Sequence, residues 1–351
     1  MHTPIELGGS KAAEEPSTMR AFCNHLRQTE PVYARLMELK DKGWANPKGN
    51  EHFEKRRQRA DDATGQQGIK FYRMMQEIGD EMQKETSAFT QVHRNGDDFR
   101  ILGLCMAPGG YTYSALKYNP GAEASGITLP PSQGGHEVFL LSSKSTVIYK
   151  DITIFSKEFG VEVVPLTHPE YASFSAERPF NDQNFDLVIC DGQVLRTPNR
   201  PEYREATEAT RLTISQLILG MQRIRKGGTM IMLLHRIEGT ESMKLLYTFS
   251  RFSDIEVFKP VKKHAIKSTF YLIAKNVNPD AEAAKMAVEA WKKVWWNATF
   301  GGEDGTGAAR IKTDDEQIQG IIDSFGVDFV SLAKPIWDIQ ADGLRRSDFA
   351  Q

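Results

Sequence analysis

The chain has 351 residues, a formal net charge of −2, 40% hydrophobic and 26% charged residues. That length supports one large domain or two ordinary ones around a sizeable core. The near-neutral charge excludes a protein coated in basic charge but not a local basic groove. The three cysteines, at 23, 105 and 190, have neither metal-ligand spacing nor the density of a disulfide framework, so a reducing intracellular compartment, cytoplasmic or nuclear, is expected and no metal site. No apolar run approaches membrane-spanning length, and the first ten residues lack the basic start and apolar core of a secretory signal.

In chain order, residues 1–18 are small, polar and Pro-containing, and read as a disordered tail. Over 19–39 apolar residues recur at helical spacing (Phe22, Leu26, Val32, Leu36, Leu39), and Pro31 divides two helices. A loop with Gly43, Pro47 and Gly49 follows, then the basic run Lys55-Arg56-Arg57 with Arg59. Phe71, Met74, Met75, Ile78 and Met82 mark another helix, so 19–95 reads as a helical N-terminal region.

Strand–helix alternation begins at Phe99 and spans 96–276. An apolar run over 99–104 is turned by Ala107-Pro108-Gly109-Gly110, and a helix starts at Tyr111. A strand, a glycine turn and a helix N-terminus form half of a nucleotide-cofactor site, because glycine admits close backbone approach and the helix end offers unpaired N–H groups. Further strands are expected over 122–129, 160–165, 184–190, 229–234, 255–258 and 268–274. Helices are expected over 206–224, ended by Lys226-Gly227-Gly228, and over 241–252. This order implies an α/β fold, a doubly wound Rossmann-like and mainly parallel sheet with helices on both faces. Residues 280–351, with helices over 281–296 and 314–325, read as a helical C-terminal appendage packing on the sheet or on a partner. Trp291 and Trp295 fall four apart there, the spacing of a packing stripe.

Three motifs in order carry a resemblance over roughly residues 68–276: Leu104 to Tyr111 with its Ala-Pro-Gly-Gly core, Phe185 to Gly192 (Phe-Asp-Leu-Val-Ile-Cys-Asp-Gly), and Lys226 to Thr229 leading a strand. Together they resemble the FtsJ-type RNA methyltransferases. The resemblance implies a methyltransferase fold and S-adenosylmethionine as cofactor, held by Cys105, Ala107, Pro108, Gly109, Gly110, Tyr111, Thr128 and Asp191. It also implies a Lys-Asp-Lys-Glu tetrad acting on a ribose 2′-hydroxyl. Asp191 matches the aspartate, and Lys70 or Arg73 the first lysine, Arg73 being favoured by its Tyr-Arg-Met context. The second lysine falls on Leu233 and the glutamate on Thr269, so the tetrad is degenerate. Acidic residues usual in the family near Gly103 and Thr128 are also missing.

His235 shares a strand face with Leu233, about 7 Å further along. An unperturbed imidazole pKa of about 6.5 suits a substitute general base, and a strand-end histidine bonded to a loop is the plainer reading. Asp191, closing a buried strand before Gly192, reads either as a loop cap or as part of a reaction centre. The runs Lys55–Arg59 and Lys262-Lys263-His264 with Lys267 offer RNA contact, or simply solvated faces. Three expectations follow: methyl transfer to an RNA ribose 2′-hydroxyl; a catalytically silent module binding cofactor or RNA; and a methyltransferase with a small-molecule or protein acceptor and His235 as base.

Overall fold

Most of these apolar runs meet in one seven-stranded sheet in the computed structural model, which describes residues 15–47, 65–90, 99–140, 143, 145–195, 200–308 and 313–348. The strands are β1 (Arg100–Leu104), β2 (Glu123–Thr128), β3 (Ser145–Tyr149), β4 (Phe185–Cys190), β5 (Ile224–His235), β6 (Asp254–Phe258) and β7 (Thr269–Val277). Their order is β3-β2-β1-β4-β5-β7-β6. The first five run parallel, and β7 pairs antiparallel with both β5 and β6. A parallel strand covered on both faces has no polar side, and β4 accordingly reads Phe-Asp-Leu-Val-Ile-Cys with every residue buried. Its one charge, Asp186, accepts hydrogen bonds from the Arg100 N–H at 3.0 Å and the Arg225 guanidinium at 2.9 Å.

Around the sheet lie α1 (Ser17–Thr29), α2 (Pro31–Ala45), α3 (Gln66–Thr86), α4 (Gly110–Tyr118), α5 (Glu208–Arg223), α6 (Thr240–Ser250), α7 (Glu282–Phe300) and α8 (Asp315–Arg345). One face carries α3 and α4, where Met75, Met82 and Ala115 pack on Ile101, Leu187, Ile189, Ile231 and Ile273. The other carries Leu217 of α5, Met243 of α6, Trp295 of α7 and Trp337 of α8 over Leu104, Val188, Met232 and Phe270. Met19 of α1 and Leu36 of α2 belong to that same cluster. The N-terminal helical region therefore divides between the two faces, and residues 282–345 are part of the main core.

The third strand is Ser145–Tyr149, and the stretch 160–165 is irregular, with Val163 82% exposed. Its apolar alternation has no neighbouring strand to pair with among the described residues. It lies in an excursion after β3 that is tied down elsewhere: Arg204 reaches Asp151, Glu170 and Glu208, and Arg223 bonds Glu158 and the Pro179 carbonyl. Gly227 and Gly228 do not follow the helix end but lie inside β5, where its pairing with both neighbours shifts register. The helix expected over 314–325 continues through Pro335 to Arg345. Residues 1–14 of the expected tail and the basic run Lys55–Arg59 lie outside the described residues, and Ser17 and Thr18 already belong to α1.

Candidate functional site

The carboxyl ends of β1, β2, β3 and β4 open on one edge of the sheet, where ligands of such folds bind. Beyond Leu104 the chain reverses sharply. Cys105 takes a left-handed backbone at φ 59°, the Ala107–Pro108 peptide is cis, and Gly109 caps α4 at φ 97°. Gly110 starts the helix against α3: a Cβ there would lie 2.4 Å from Met75 Cβ and 2.6 Å from the Tyr72 carbonyl oxygen. The turn is fastened to β2, with the Met106 N–H donating to the Ile127 carbonyl at 3.0 Å and the Ala107 N–H to Thr128 Oγ1 at 3.3 Å.

Two glycines make room beneath this turn. Gly103 and Gly126 face each other across β1 and β2, and the Met106 side chain lies over both. An added Cβ would stand 3.1 Å from Met106 Cε at Gly103 and 2.3 Å at Gly126. The carboxylate that the family resemblance places near Gly103 thus gives way to a thioether on a bare backbone floor. Thr128 is buried at 4% exposure, its hydroxyl accepting from Ala107.

Asp191 follows β4. Its N–H donates to the Leu104 carbonyl at 3.3 Å, and Gly192 next to it donates to Gln216 Oε1 at 2.7 Å. A Cβ at Gly192 would stand 2.6 Å from Cys105 Sγ, so the corner after β4 and the turn after β1 are in contact. Burial alone pushes the Asp191 carboxyl up to about 8. Burial likewise raises the Cys105 thiol, with Cys190, Asp151 and Asp191 adding to it. Asp191 shares a tight, mostly apolar cavity with Tyr111, Tyr271, Leu233, Met82 and Phe89, too small to admit water. The Tyr111 and Tyr271 hydroxyls hydrogen-bond each other across it. Leu233 and Tyr271 are direct partners in the β5–β7 register.

Asp191 and Tyr111 line this closed cavity together, and Lys70 and Arg73 are not among the residues lining it. Both are exposed on α3, whose buried face is Gly68, Met75, Ile78, Gly79 and Met82. His235 stands two residues beyond Leu233, paired with Thr269 at the end of β5. It is exposed and outside the Asp191 cavity. Desolvation by the surrounding protein, with the cations Arg236, Lys40 and Lys259, outweighs Glu238 and pushes its pKa down, to about 4. Phe89, Met82 and Tyr271, which also line the cavity, were not among the site residues expected from sequence. Met82 had a usable signal, the seven-residue spacing from Met75 along one helix face.

A second, open cavity of about 430 Å³ lies where β2 and β3 end, lined by Pro130, Pro131, Glu137, Val138, Phe139 and Tyr149. Its inner wall is fixed to the glycine turn: the Phe139 N–H donates to the Pro108 carbonyl at 3.1 Å, and Leu140 Cβ would meet a Cβ on Gly109 at 3.2 Å. Asp151, two residues past β3 and also missed from sequence, caps its own short turn through Thr153 at 2.8 Å and bonds Arg204 at 3.2 Å. On the far side of the edge, the loop 259–268 carries Lys262, Lys263, His264 and Lys267. Buried Lys259 holds it together by donating to the carbonyls of His264, Lys267 and Thr269, and Lys263 pairs with Glu77 at 3.0 Å. Among the described residues no helix is long and apolar enough to cross a membrane.

A family model described as FtsJ-like methyltransferase matches residues 80–277. Among solved structures, the chain is similar to a protein of Plasmodium falciparum described as a ribosomal RNA methyltransferase, at 16% identity and a TM-score of 0.39, over 57% of this chain and 96% of that one. Human methyltransferase-like protein 13, in complex with SAH, aligns at 14% identity and a TM-score of 0.32, over 61% and 91%. An rRNA methylase from Streptococcus thermophilus aligns at 10% identity and a TM-score of 0.31, over 54% and 100%. No curated protein matches the sequence.

Proposed function

The chain belongs to the FtsJ-like methyltransferase family, and from that premise we propose that it binds S-adenosylmethionine at the carboxyl edge of β1–β4 and transfers its methyl group to an RNA ribose 2′-hydroxyl. The observation that carries this reading is the open cavity of about 430 Å³ beside the Gly109–Gly110 turn, large enough for a nucleoside and walled by prolines and aromatic rings. When bound, the sulfonium supplies an activated methyl group. Gly109 and Gly110 let the turn pack tightly on Leu140 and α3, the first N–H groups of α4 suit the cofactor's carboxylate, and Asp191, at the corner touching this turn, is the group the family resemblance puts in the reaction centre. Tyr111, Cys105, Ala107 and Pro108 shape the turn around them. The acceptor hydroxyl needs positioning beside the methyl group, which supplies much of the rate enhancement in such a displacement. The basic loop 259–268, on this same edge, supports RNA as acceptor.

A second reading, a silent module that binds cofactor or RNA without reaction, is favoured by one specific observation. The Tyr111–Tyr271 bond closes the cavity around Asp191, beside Leu233, where the family resemblance would put a lysine. His235 as base for another acceptor gains no such support, since it stands outside that cavity.

The deciding experiment is calorimetric titration with S-adenosylmethionine and S-adenosylhomocysteine, followed by transfer of labelled methyl to RNA by wild type and Asp191→Asn. Binding of both ligands with transfer that Asp191→Asn abolishes is the expected result. Binding without transfer to any acceptor selects the silent module. Absence of binding by the folded protein overturns both cofactor readings.

A further inference from the structure

We propose that Glu137 is the carboxylate that holds the ribose hydroxyls of the cofactor's adenosine, recruited from the excursion between β2 and β3. This rests on the cofactor reading above. A nucleoside presents a flat apolar base and a vicinal diol. Its strongest partner for the diol is a carboxylate, which accepts two charge-assisted hydrogen bonds. The ends of β1 and β2 offer no such group, Asp151 past β3 is engaged by Arg204 and Thr153, and Asp191 past β4 lies in the closed cavity. Gly103 has no side chain and its floor is taken by Met106, and Thr128 is buried and bonded to the turn.

The open cavity does offer one. Of its six lining residues, Glu137 alone carries a carboxylate, and its side chain makes no hydrogen bond or ion pair among the described residues. Phe139 and Tyr149 provide aromatic walls, and Pro130 and Pro131 a rigid apolar rim. The backbone fixes Glu137 in place on both sides. Upstream, the Gln133 and Gly135 N–H groups donate to the Pro130 carbonyl at 2.9 and 3.1 Å and close a tight turn. Downstream, Phe139 is bonded to Pro108 of the glycine turn. A carboxylate two residues from that anchor is held next to the turn and needs no loop ordering on binding, which lowers the entropic cost of recognition. The anchor on Pro108 and the contact of Leu140 with Gly109 also favour the cofactor's own nucleoside as occupant over one from a polynucleotide.

The test is a binding cycle by calorimetry, with wild type, Glu137→Gln and Tyr149→Ala titrated against S-adenosylhomocysteine and its 2′-deoxy and 3′-deoxy analogues. Circular dichroism checks that each variant is folded. Glu137→Gln is expected to weaken S-adenosylhomocysteine about 10- to 100-fold, the scale of hydrogen bonds to a charged group. It should weaken the deoxy analogues much less, since these have already lost part of the same interaction. Tyr149→Ala should weaken all three ligands alike. Equal weakening of all three by Glu137→Gln, or none, overturns the assignment while leaving the cofactor reading intact. Failure of wild type to bind S-adenosylhomocysteine at all overturns the cofactor reading and the assignment with it.

Discussion

Asp191 sits where chemistry and stability pull against each other. Its carboxyl is held at about 8, against an ordinary value of 3.8, because burial penalises the charged form. The folded chain therefore keeps a proton that the unfolded chain releases. Stability falls as pH rises from about 4 and levels off above about 8, since the unfolded state binds fewer protons throughout that window. Asparagine cannot ionise, so Asp191→Asn should unfold at a higher temperature than wild type at pH 8 and at nearly the same temperature at pH 4. Calorimetric scans at the two pH values check this, and equal transitions at pH 8 would mean that Asp191 ionises freely in the fold. The same variant should lose methyl transfer, a trade of activity for stability typical of buried functional charge. Asp191 was singled out from the sequence because a mostly apolar strand ends on it and glycine follows. Tyr271 was not: its place opposite Leu233 depends on the register between β5 and β7, and those strands are joined through α6 and β6 rather than by a short turn of readable type. Lys70 and Arg73 had the residue type sought, but the packing of α3 by its 68-75-82 face turns both outward.

Between elements, a buried ion pair joins α2 to the segment after β5. Lys40 Nζ lies 3.0 Å from Glu238 Oε1, with the side chains 8% and 6% exposed. Burial raises the Glu238 pKa, but Lys40, the backbone N–H of Glu238 and Arg236 overcome it and hold the carboxyl down to about 2. The stabilisation is fully present above about 4.5 and is lost as pH falls toward 2. Lys40→Met strands a buried carboxylate and should cost about 3–5 kcal/mol, whereas Lys40→Met with Glu238→Leu should recover most of that loss. Urea unfolding at pH 7 measures both, and a double variant as unstable as the single one would show that packing rather than charge sets the cost. Neither partner was identifiable in the sequence, where they stand 198 residues apart among other charges. At this scale β1, β2, β4 and β5 were readable because each is an apolar run bounded by turn residues. The third strand was not, because Ser145–Tyr149 is an edge strand partly exposed along its length and shows no clean alternation. The better alternating stretch, at 160–165, joins no strand of the sheet among the described residues.

At the scale of the molecule, the helices outside the sheet domain are core and not ornament. Trp337 of α8 is fully buried, with its ring centroid 4.7 Å from Tyr33 of α2 and 6.3 Å from Phe329. Trp337→Ala should cost about 3–5 kcal/mol. Far-UV circular dichroism and tryptophan fluorescence should still report one coincident unfolding transition, because α8 and the sheet share a cluster. Two separated transitions would show instead that α8 melts as a unit of its own. The doubly wound class was legible from the strand–helix alternation alone. Packing of the C-terminal helices on the sheet was one of two readings the sequence allowed; the length of α8 was not legible, because Pro335 and the glycines at 326 and 343 suggest breaks where the helix continues. Gly343 packs against Ala265 and Ile266, and Gln340 bonds Ser268, so the end of α8 braces the basic loop from behind. The shared cluster of α1, α2 and α8 also sets a timetable. On a ribosome the two opening helices emerge hundreds of residues before the helix that covers them, while every strand is made in between. The part of their apolar surface that α8 covers has no partner until α8 is made, so the nascent chain carries exposed apolar surface of the kind that favours aggregation until elongation has passed the methyltransferase region.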